Sequence, residues 1–337
     1  ERPGARGDRR MMPTTPVIET RGLVKRYGDQ LAVAGVDLVV GPGEIFGLVG
    51  PNGAGKTTTM KILATLLAPT AGEAYVTGIS VEADPLEVRR RIGYMPDFYG
   101  VYDDLRVWEY LDFFARCYGV PANRRPRMID ELLEIVGLTE KRNGYVETMS
   151  RGMRQRLCLA HTLVHDPALL ILDEPASGLD PRARVEMREI LRELRSMGKT
   201  ILVSSHILPE LGEMCTGVAI IDRGQVLRSG SIGEIERSLR ASALLRIEVL
   251  GDERAVEAAR AWLGTDPRIA DVLGGTIDTD GATRIEASFD GPPDGQADLL
   301  RAMIEAGHRV VGFNQATSDL EEIFLKVTGH LDEETAA

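Results

Sequence analysis

The residues best suited to chemistry are in Gly50–Thr57, "GPNGAGKT", which has the spacing G-x-x-x-x-G-K-[ST]. A strand-like run, "EIFGLVG", precedes this loop, and a helical run, "KTTTMKILATLL", follows it. The glycines let backbone N–H groups converge on an anion, and the helix dipole adds to the attraction. Lys56 can reach the β- and γ-phosphates of a nucleotide, and the Thr57 hydroxyl can ligate Mg²⁺. The pattern predicts a P-loop nucleotide site.

Two acids and a histidine end the next two strand-like runs. "LLILDEP" places Asp173 and Glu174 at the carboxyl end of a buried strand, where ligands bind in open α/β sheets. Adjacent strand residues point to opposite sides, so we expect one carboxylate to hold the metal and the other to orient a water. His206 follows "TILVSS". A lone histidine is usually structural, but beside these groups we interpret His206 as a γ-phosphate contact.

A second anion site is predicted at "MSRGMRQRL". Ser150 can cap a helix in which Met153, Leu157 and Ala160 share one face. A helix N-terminus fronted by small residues attracts anions. The P-loop already provides one phosphate-binding site, so a second site in the same chain needs an explanation.

The elements that must position these residues form an α/β pattern. Short apolar segments in residues 17–40 predict an antiparallel β layer, and "GVAIIDRGQVLRSG" predicts a hairpin turning at Arg223 and Gly224. Continuous apolar runs around the acids and the histidine are typical of parallel strands covered on both faces. Residues 86–165 follow a helical pattern that no convincing strand interrupts.

The pattern of predicted strands and helices changes after residue 235. Strand, helix, two strands, helix and strand follow in that order, which predicts a small ferredoxin-like α+β domain, and "DLEEIFLKVTG" predicts a last helix. We therefore expect a disordered leader in residues 1–16, a nucleotide domain in 17–235 with a helical subdomain at about 86–165, an accessory domain in 236–330 and a tail in 331–337.

Composition restricts the function further. The net charge of −11 argues against a nucleic-acid-binding surface. No apolar run approaches the length of a membrane-spanning helix, and the leader lacks the apolar core of a secretory signal, so we expect a soluble protein starting naturally at Met11 or Met12. The three cysteines, Cys117, Cys158 and Cys215, lack metal-binding spacing and are interpreted as thiols, two of them buried in apolar helices.

Together these motifs resemble the ATP-binding subunits of ABC transporters, over residues 17–230. The resemblance implies an α/β P-loop ATPase core with an antiparallel β subdomain and a helical subdomain, acting on ATP with Mg²⁺. It implies that Glu174 is the general base, with Lys56 and His206 as further catalytic residues, and that Thr57 and Asp173 hold Mg²⁺. The residues it assigns to ATP are Tyr27 (stacking on adenine), Gly50, Pro51, Asn52, Gly53, Ala54, Gly55, Lys56, Thr57, Thr58, Ser150, Arg151, Gly152, Met153 and Asp180 (in a loop that contacts the other subunit).

The same resemblance explains the second anion site. "MSRGM" stands where the family carries its LSGGQ signature, which closes over the ATP held by a second ATPase subunit. Arg151 and Met153 replace a glycine and the glutamine. The guanidinium can contact phosphate, or it can crowd the close backbone approach that glycine permits. Similar forms occur in the family, so we expect a working site.

A second departure is at Asp97, in "IGYMPDFYG", where the family has a glutamine. An aspartate binds a cation more strongly but repels an approaching γ-phosphate. Our hypothesis is that Asp97 ligates Mg²⁺. The alternative is that Asp97 points to a membrane partner or to solvent.

The tail resembles that of the daunorubicin-type drug-export ATPases, which implies a separate ABC-2-class permease, a second ATPase subunit (a homodimer or a related chain), and a location on the cytoplasmic face of the cell membrane. The helical region "DFYGVYDDLRVWEYLDFFA" is the candidate docking surface, with an ordinary helical core as the alternative.

A non-transport ATPase that regulates another complex stays open as an alternative function. A translation factor fits less well because the chain has one cassette, and a DNA-maintenance ATPase fits less well because the chain has no long coiled coil. A metabolic kinase would explain the P-loop but not the signature motif.

Overall fold

The computed structural model describes residues 15–98, 100–235, 243–277, 282–291 and 293–315. The chain divides into two units, Glu1–Ser231 and Ile232–Ala337. The strands of the first unit are β1 (Ile18–Tyr27), β2 (Gln30–Val40), β3 (Ile45–Val49), β4 (Ala71–Val76), β5 (Ile79–Ser80), β6 (Ile92–Met95), β7 (Leu169–Leu172), β8 (Thr200–Ser205), β9 (Gly217–Asp222) and β10 (Gln225–Ser231). Its α-helices are α1 (Lys56–Leu63), α2 (Pro85–Arg91), α3 (Val107–Cys117), α4 (Arg125–Ile135), α5 (Arg151–Leu163), α6 (Pro181–Ser196) and α7 (Leu208–Gly212).

Two sheets build the first unit. One is antiparallel, in the order β2-β1-β4-β5, which confirms the predicted β layer. The other has the order β10-β9-β3-β8-β7-β6, and all its pairs are parallel except the β9–β10 hairpin. Strands β3, β7 and β8 are buried along their whole length, as their continuous apolar sequences predict. The hairpin turns at Arg223 and Gly224, as predicted.

The prediction that no strand interrupts residues 86–165 is wrong. Helix α2 ends at Arg91, and β6 begins at the next residue, pairing in parallel with β7. The strand is only four residues long, contains Gly93 and follows three arginines, so it has no recognisable period of its own. Contacts with the rest of the sheet, rather than local sequence preference, make it a strand.

The second unit contains β11 (Ala243–Leu250), α8 (Glu253–Leu263), β12 (Ile269–Ile277), β13 (Ala282–Phe289), α9 (Pro293–Glu305) and β14 (Val310–Gln315). Its sheet is antiparallel, in the order β12-β13-β11-β14, which confirms the predicted ferredoxin-like arrangement. Apolar side chains from the sheet and both helices form its core, including Ile247, Phe289 and Leu299. The predicted last helix, most of the predicted leader and the tail lie outside the described residues.

All three cysteines are free; Cys158 is buried and Cys215 half-buried, but Cys117 is exposed at the end of α3, so the helical pattern around it does not bury it.

Within the described part of the chain, none of the helices combines the length and the apolar character needed to cross a bilayer.

Candidate nucleotide site

The candidate catalytic and metal-binding residues follow the carboxyl ends of four adjacent parallel strands. Strands β3, β8, β7 and β6 lie side by side in that order. The P-loop follows β3, His206 follows β8, the acid pair follows β7 and Asp97 follows β6. Parallel strands present their carboxyl ends at one edge of a sheet, so the fold brings these distant segments together where α/β proteins bind ligands.

The P-loop makes its turn at Gly55. This residue precedes α1 in a left-handed conformation, with φ of 104°. A Cβ there would lie 2.5 Å from the Ala32 carbonyl oxygen, so only glycine fits. Helix α1 therefore starts abruptly at Lys56, and the first N–H groups of the helix are available to an anion.

Lys56 is buried at the base of the loop, with its side chain 6% exposed. Its Nζ donates to the Gly50 carbonyl oxygen at 2.6 Å and lies 3.7 Å from Glu174 Oε1. Burial lowers the pKa of Lys56, while the charges of Glu174 and Asp173 oppose that shift. The loop thus holds a cation next to the carboxylate of Glu174.

A cavity of about 260 Å³ lies over the loop. Its lining residues are Tyr27, Gln30, Ala32, Asn52, Gly53, Ala54, Gly55, Lys56, Thr57, Thr58, Asp97 and Glu174. Tyr27 is 45% exposed, and its ring lies 5.5 Å from Lys25 Nζ. Gln30 and Ala32, the first and third residues of β2 after the turn that follows Tyr27, were not predicted from the sequence. The cavity therefore joins an exposed aromatic ring, a phosphate loop and two carboxylates.

Ser204 on β8 links the two acids and was also missed. Its Oγ donates to Asp173 Oδ1 at 2.6 Å and accepts from the Glu174 N–H at 2.8 Å. A hydroxyl at the end of a buried strand, beside a strand that ends in acids, was the available sequence signal. Through this contact the ends of β7 and β8 are fixed together.

Asp173 has a free coordination position. Its side chain is 1% exposed, and Oδ2 is buried without a hydrogen-bond partner. The nearby Tyr94 hydroxyl is likewise buried without a partner, and burial together with the charges of Asp173 and Asp97 raises the pKa of Tyr94. Among the described residues no three His, Cys, Asp or Glu side chains are grouped to hold a metal. The buried Asp173 Oδ2, which has no hydrogen-bond partner and whose charge acts on Lys56, fits an ion such as Mg²⁺, which keeps water and phosphate oxygens as most of its ligands.

Glu174 is oriented from two sides. Its Oε2 lies 3.0 Å from His206 Nδ1, while Oε1 faces Lys56. The backbone at Glu174 has φ of 51°, which an ordinary residue adopts only where its surroundings impose it. His206 is 46% exposed, so the carboxylate lies between a buried cation and a solvent-facing imidazole. Such a carboxylate can accept a proton from a water molecule.

The second anion motif does not share this cavity. Ser150 caps α5 by accepting from the Met153 N–H at 3.3 Å. Arg151 donates to the Ser177 carbonyl oxygen at 3.0 Å rather than contacting the P-loop, and Asp180 caps α6 through the Ala183 N–H. None of residues 150–153 and Asp180 lines the P-loop cavity.

Comparisons with known proteins find relatives that match most of the chain. A family model described as "ABC transporter" matches residues 33–177. The chain is 39% identical to the daunorubicin/doxorubicin resistance ATP-binding protein DrrA of Streptomyces peucetius, over 94% of this chain and 93% of that protein. It is 35% identical to the Nod factor export ATP-binding protein I of Ralstonia nicotianae, over 94% and 95%.

Solved structures give the same fold. An ATP-binding subunit of an ABC transporter is 32% identical, with a TM-score of 0.60 over 66% of this chain and 92% of that one. A dimeric ATP-binding cassette bound to ADP and Pi, 24% identical with a TM-score of 0.58, covers 64% of this chain and 98% of its own. At that identity the second likeness shows the fold alone.

Proposed function

This chain belongs to the ABC transporter family of ATP-binding proteins, and on that premise we propose that it hydrolyses Mg²⁺-bound ATP to drive a separate membrane permease in export. It is an ATPase subunit of the family. The relatives described above are a drug-resistance protein and an export protein by their names, and this favours export over the alternative of a non-transport regulator.

The observation that carries the hydrolytic role is the placement of Glu174 between Lys56 and His206. Glu174 takes a proton from the attacking water, while His206 holds the Glu174 carboxylate through Nδ1 and contacts the γ-phosphate. Lys56 offsets the negative charge that develops on the phosphate oxygens. Ser204 fixes Asp173 and the Glu174 backbone in one arrangement. Mg²⁺, when held by Asp173 and Thr57, supplies further charge neutralisation.

We assign Asp97 to the same metal. It lines the cavity with Lys56 and Glu174, and its charge acts on both Lys56 and Tyr94. Asp97→Gln is expected to raise the Mg²⁺ concentration needed for half-maximal ATPase rate by about 10-fold, because a neutral amide binds the cation less strongly than a carboxylate. The measurement is a Mg²⁺ titration at fixed ATP. Asp103→Asn, at another exposed acid of the same segment, is the control. An unchanged Mg²⁺ curve for Asp97→Gln would count against ligation.

Tyr27 stacks on the adenine ring in this proposal. Tyr27→Ala is expected to raise KM for ATP by about 2- to 10-fold, the effect of losing one aromatic stacking contact. Tyr27→Phe retains the ring and is expected to keep KM within about 2-fold. Steady-state hydrolysis assays measure both values. Equal losses in the two variants would show that the hydroxyl, rather than the ring, supports binding.

A complete site requires two chains. The capped N-terminus of α5 is exposed at Ser150 and lies outside the P-loop cavity of its own chain, so its anion site is available to ATP on a second subunit. Two copies, or one copy and a related chain, would hold two ATP molecules between them. Hydrolysis then reopens the pair.

The permease is proposed to be of the ABC-2 class and to dock on the aromatic segment at residues 97–115. Docking there would place the chain at the cytoplasmic face of the membrane. Phe98, Tyr102 and Phe113 are exposed, and Phe98 is 95% exposed. Tyr110, in contrast, is buried and packs edge-on against Phe114, so part of this segment is ordinary core.

Co-purification tests the transporter role. The full chain should be isolated together with a membrane protein from its native cells, and the ATPase rate of the complex should rise with a hydrophobic drug, lipid or glycan. Isolation of a complex that contains only soluble partners would favour the regulatory alternative.

A further inference from the structure

The first turns of α5 are joined to the segment that follows Glu174. Arg151 Nη2 donates to the Ser177 carbonyl oxygen at 3.0 Å, and Gln155 Nε2, one turn further on, donates to the Pro175 carbonyl oxygen. Gly152 packs against the same segment, since a Cβ there would lie 3.1 Å from Ala183 Cβ. One face of α5 therefore lies along residues 175–183.

The Arg151 guanidinium also covers the backbone of Gly178. Gly178 has φ of 66°, and a Cβ placed on it would lie 2.4 Å from both Cζ and Nη1 of Arg151. The turn at Ser177 and Gly178 is thus held by a hydrogen bond and by direct packing of a planar charged group. A flexible ammonium does not reproduce that packing.

The Ser177–Gly178 turn is in turn bonded to Glu174. The Ser177 N–H donates to the Glu174 carbonyl oxygen at 3.1 Å. Glu174 itself has positive φ, a conformation that persists only where neighbouring contacts impose it. A direct series of contacts therefore runs from the Arg151 guanidinium through Ser177 to the backbone of Glu174.

We propose that Arg151 is a positioning residue, whose guanidinium holds the Ser177–Gly178 turn and through it the backbone of Glu174. This proposal rests on the proposed role of Glu174 in hydrolysis. Arg151, which replaces a glycine of the signature motif, then acts on the active site of its own chain. This role requires no contact between Arg151 and phosphate. Asp180, which caps the N-terminus of α6, lies within the same segment.

Three variants separate holding the turn from contacting phosphate. Arg151→Ala and Arg151→Lys are both expected to lower kcat by at least about 5-fold with KM for ATP unchanged, because both lose a charged hydrogen bond and the planar contact. Arg182→Ala, which removes a 91% exposed arginine from the first turn of α6, is the control and should keep the wild-type rate. A Lys variant with wild-type kcat, or losses confined to KM, would show that the charge faces phosphate and would overturn the proposal.

A second measurement does not depend on hydrolysis. Without nucleotide, amide hydrogen exchange of residues 176–180 should be at least about 5-fold faster in Arg151→Ala and Arg151→Lys than in the wild type, and unchanged in Arg182→Ala. Unchanged exchange in both Arg151 variants would overturn the proposal. If exchange rises but Glu174→Gln hydrolyses ATP normally, the holding role stands and the assigned base is wrong, so the two failures are distinguishable.

A double-mutant cycle tests the contact itself. Gly178→Ala inserts a methyl group into the guanidinium, so its effect on exchange of this turn should be larger in the wild type than in Arg151→Ala. The strain of a positive φ is common to both backgrounds and cancels in the comparison. Equal effects in the two backgrounds would show that Arg151 does not rest on Gly178, which overturns the proposal.

Discussion

Glu174→Gln is expected to lower kcat for ATP hydrolysis by about 100- to 10,000-fold, the range associated with loss of a general base. The amide has nearly the same shape as the carboxylate but cannot accept the proton of the attacking water. Lys56 keeps its bond to the Gly50 carbonyl oxygen, and Ser204 keeps its bond to Asp173, so the cavity is retained. ATP affinity should therefore stay within a few-fold of wild type. Phosphate release at saturating Mg²⁺-ATP and calorimetric titration with ATP measure the two quantities.

The matched control for this variant is Glu189→Gln. Glu189 is an exposed carboxylate on α6 that pairs with Arg192 and does not line the P-loop cavity, so its loss should leave both quantities unchanged. If Glu174→Gln retains more than about a tenth of the wild-type rate, Glu174 is not the base. A variant that loses ATP binding as well as turnover would show instead that the carboxylate supports the nucleotide.

Local chemistry explains how much of the site the sequence predicts. The P-loop depends on a short run of residues whose backbone and side-chain requirements are met within eight positions, so its pattern is visible without the fold. Asp173, Glu174 and His206 are visible because each ends an apolar strand. The two sheets of the first unit and the ferredoxin-like second unit are also predictable, because the order of strand-like and helical runs is visible in the sequence.

What the sequence does not predict depends on contacts between distant segments. Strand β6 is too short to show a period, and it exists because β7 lies beside it. The sequence left open whether Asp97 faces Mg²⁺ or instead a membrane partner or solvent, and its place at the cavity follows from where β6 ends. The Ser204 bridge needs the register of β7 against β8. For Arg151, the sequence left open whether the guanidinium faces phosphate or crowds the backbone, and its contact with Ser177 is a property of the fold.

The second large effect concerns assembly. With hydrolysis removed by Glu174→Gln, saturating Mg²⁺-ATP is expected to convert the chain from monomer to dimer, measured by sedimentation velocity of the full chain. Adding Ser150→Asp should weaken that dimer by about 100-fold or more. At an effective dielectric constant of about 20, two unit charges about 5 Å apart repel by about 3 kcal/mol, and the new carboxylate would face the triphosphate of the other subunit.

Ser150→Asn in the same background is the matched control, because Ser, Asn and Asp cap helices about equally well. A negative charge also stabilises a helix N-terminus, so neither variant should unfold α5, and circular dichroism checks this. The dimer should persist with Ser150→Asn and be lost with Ser150→Asp, since only the second places like charges together. A dimer that tolerates the aspartate would mean that the Ser150 end of α5 does not face nucleotide. If Glu174→Gln stays monomeric at saturating ATP, both alone and with its permease, the site is not built from two chains.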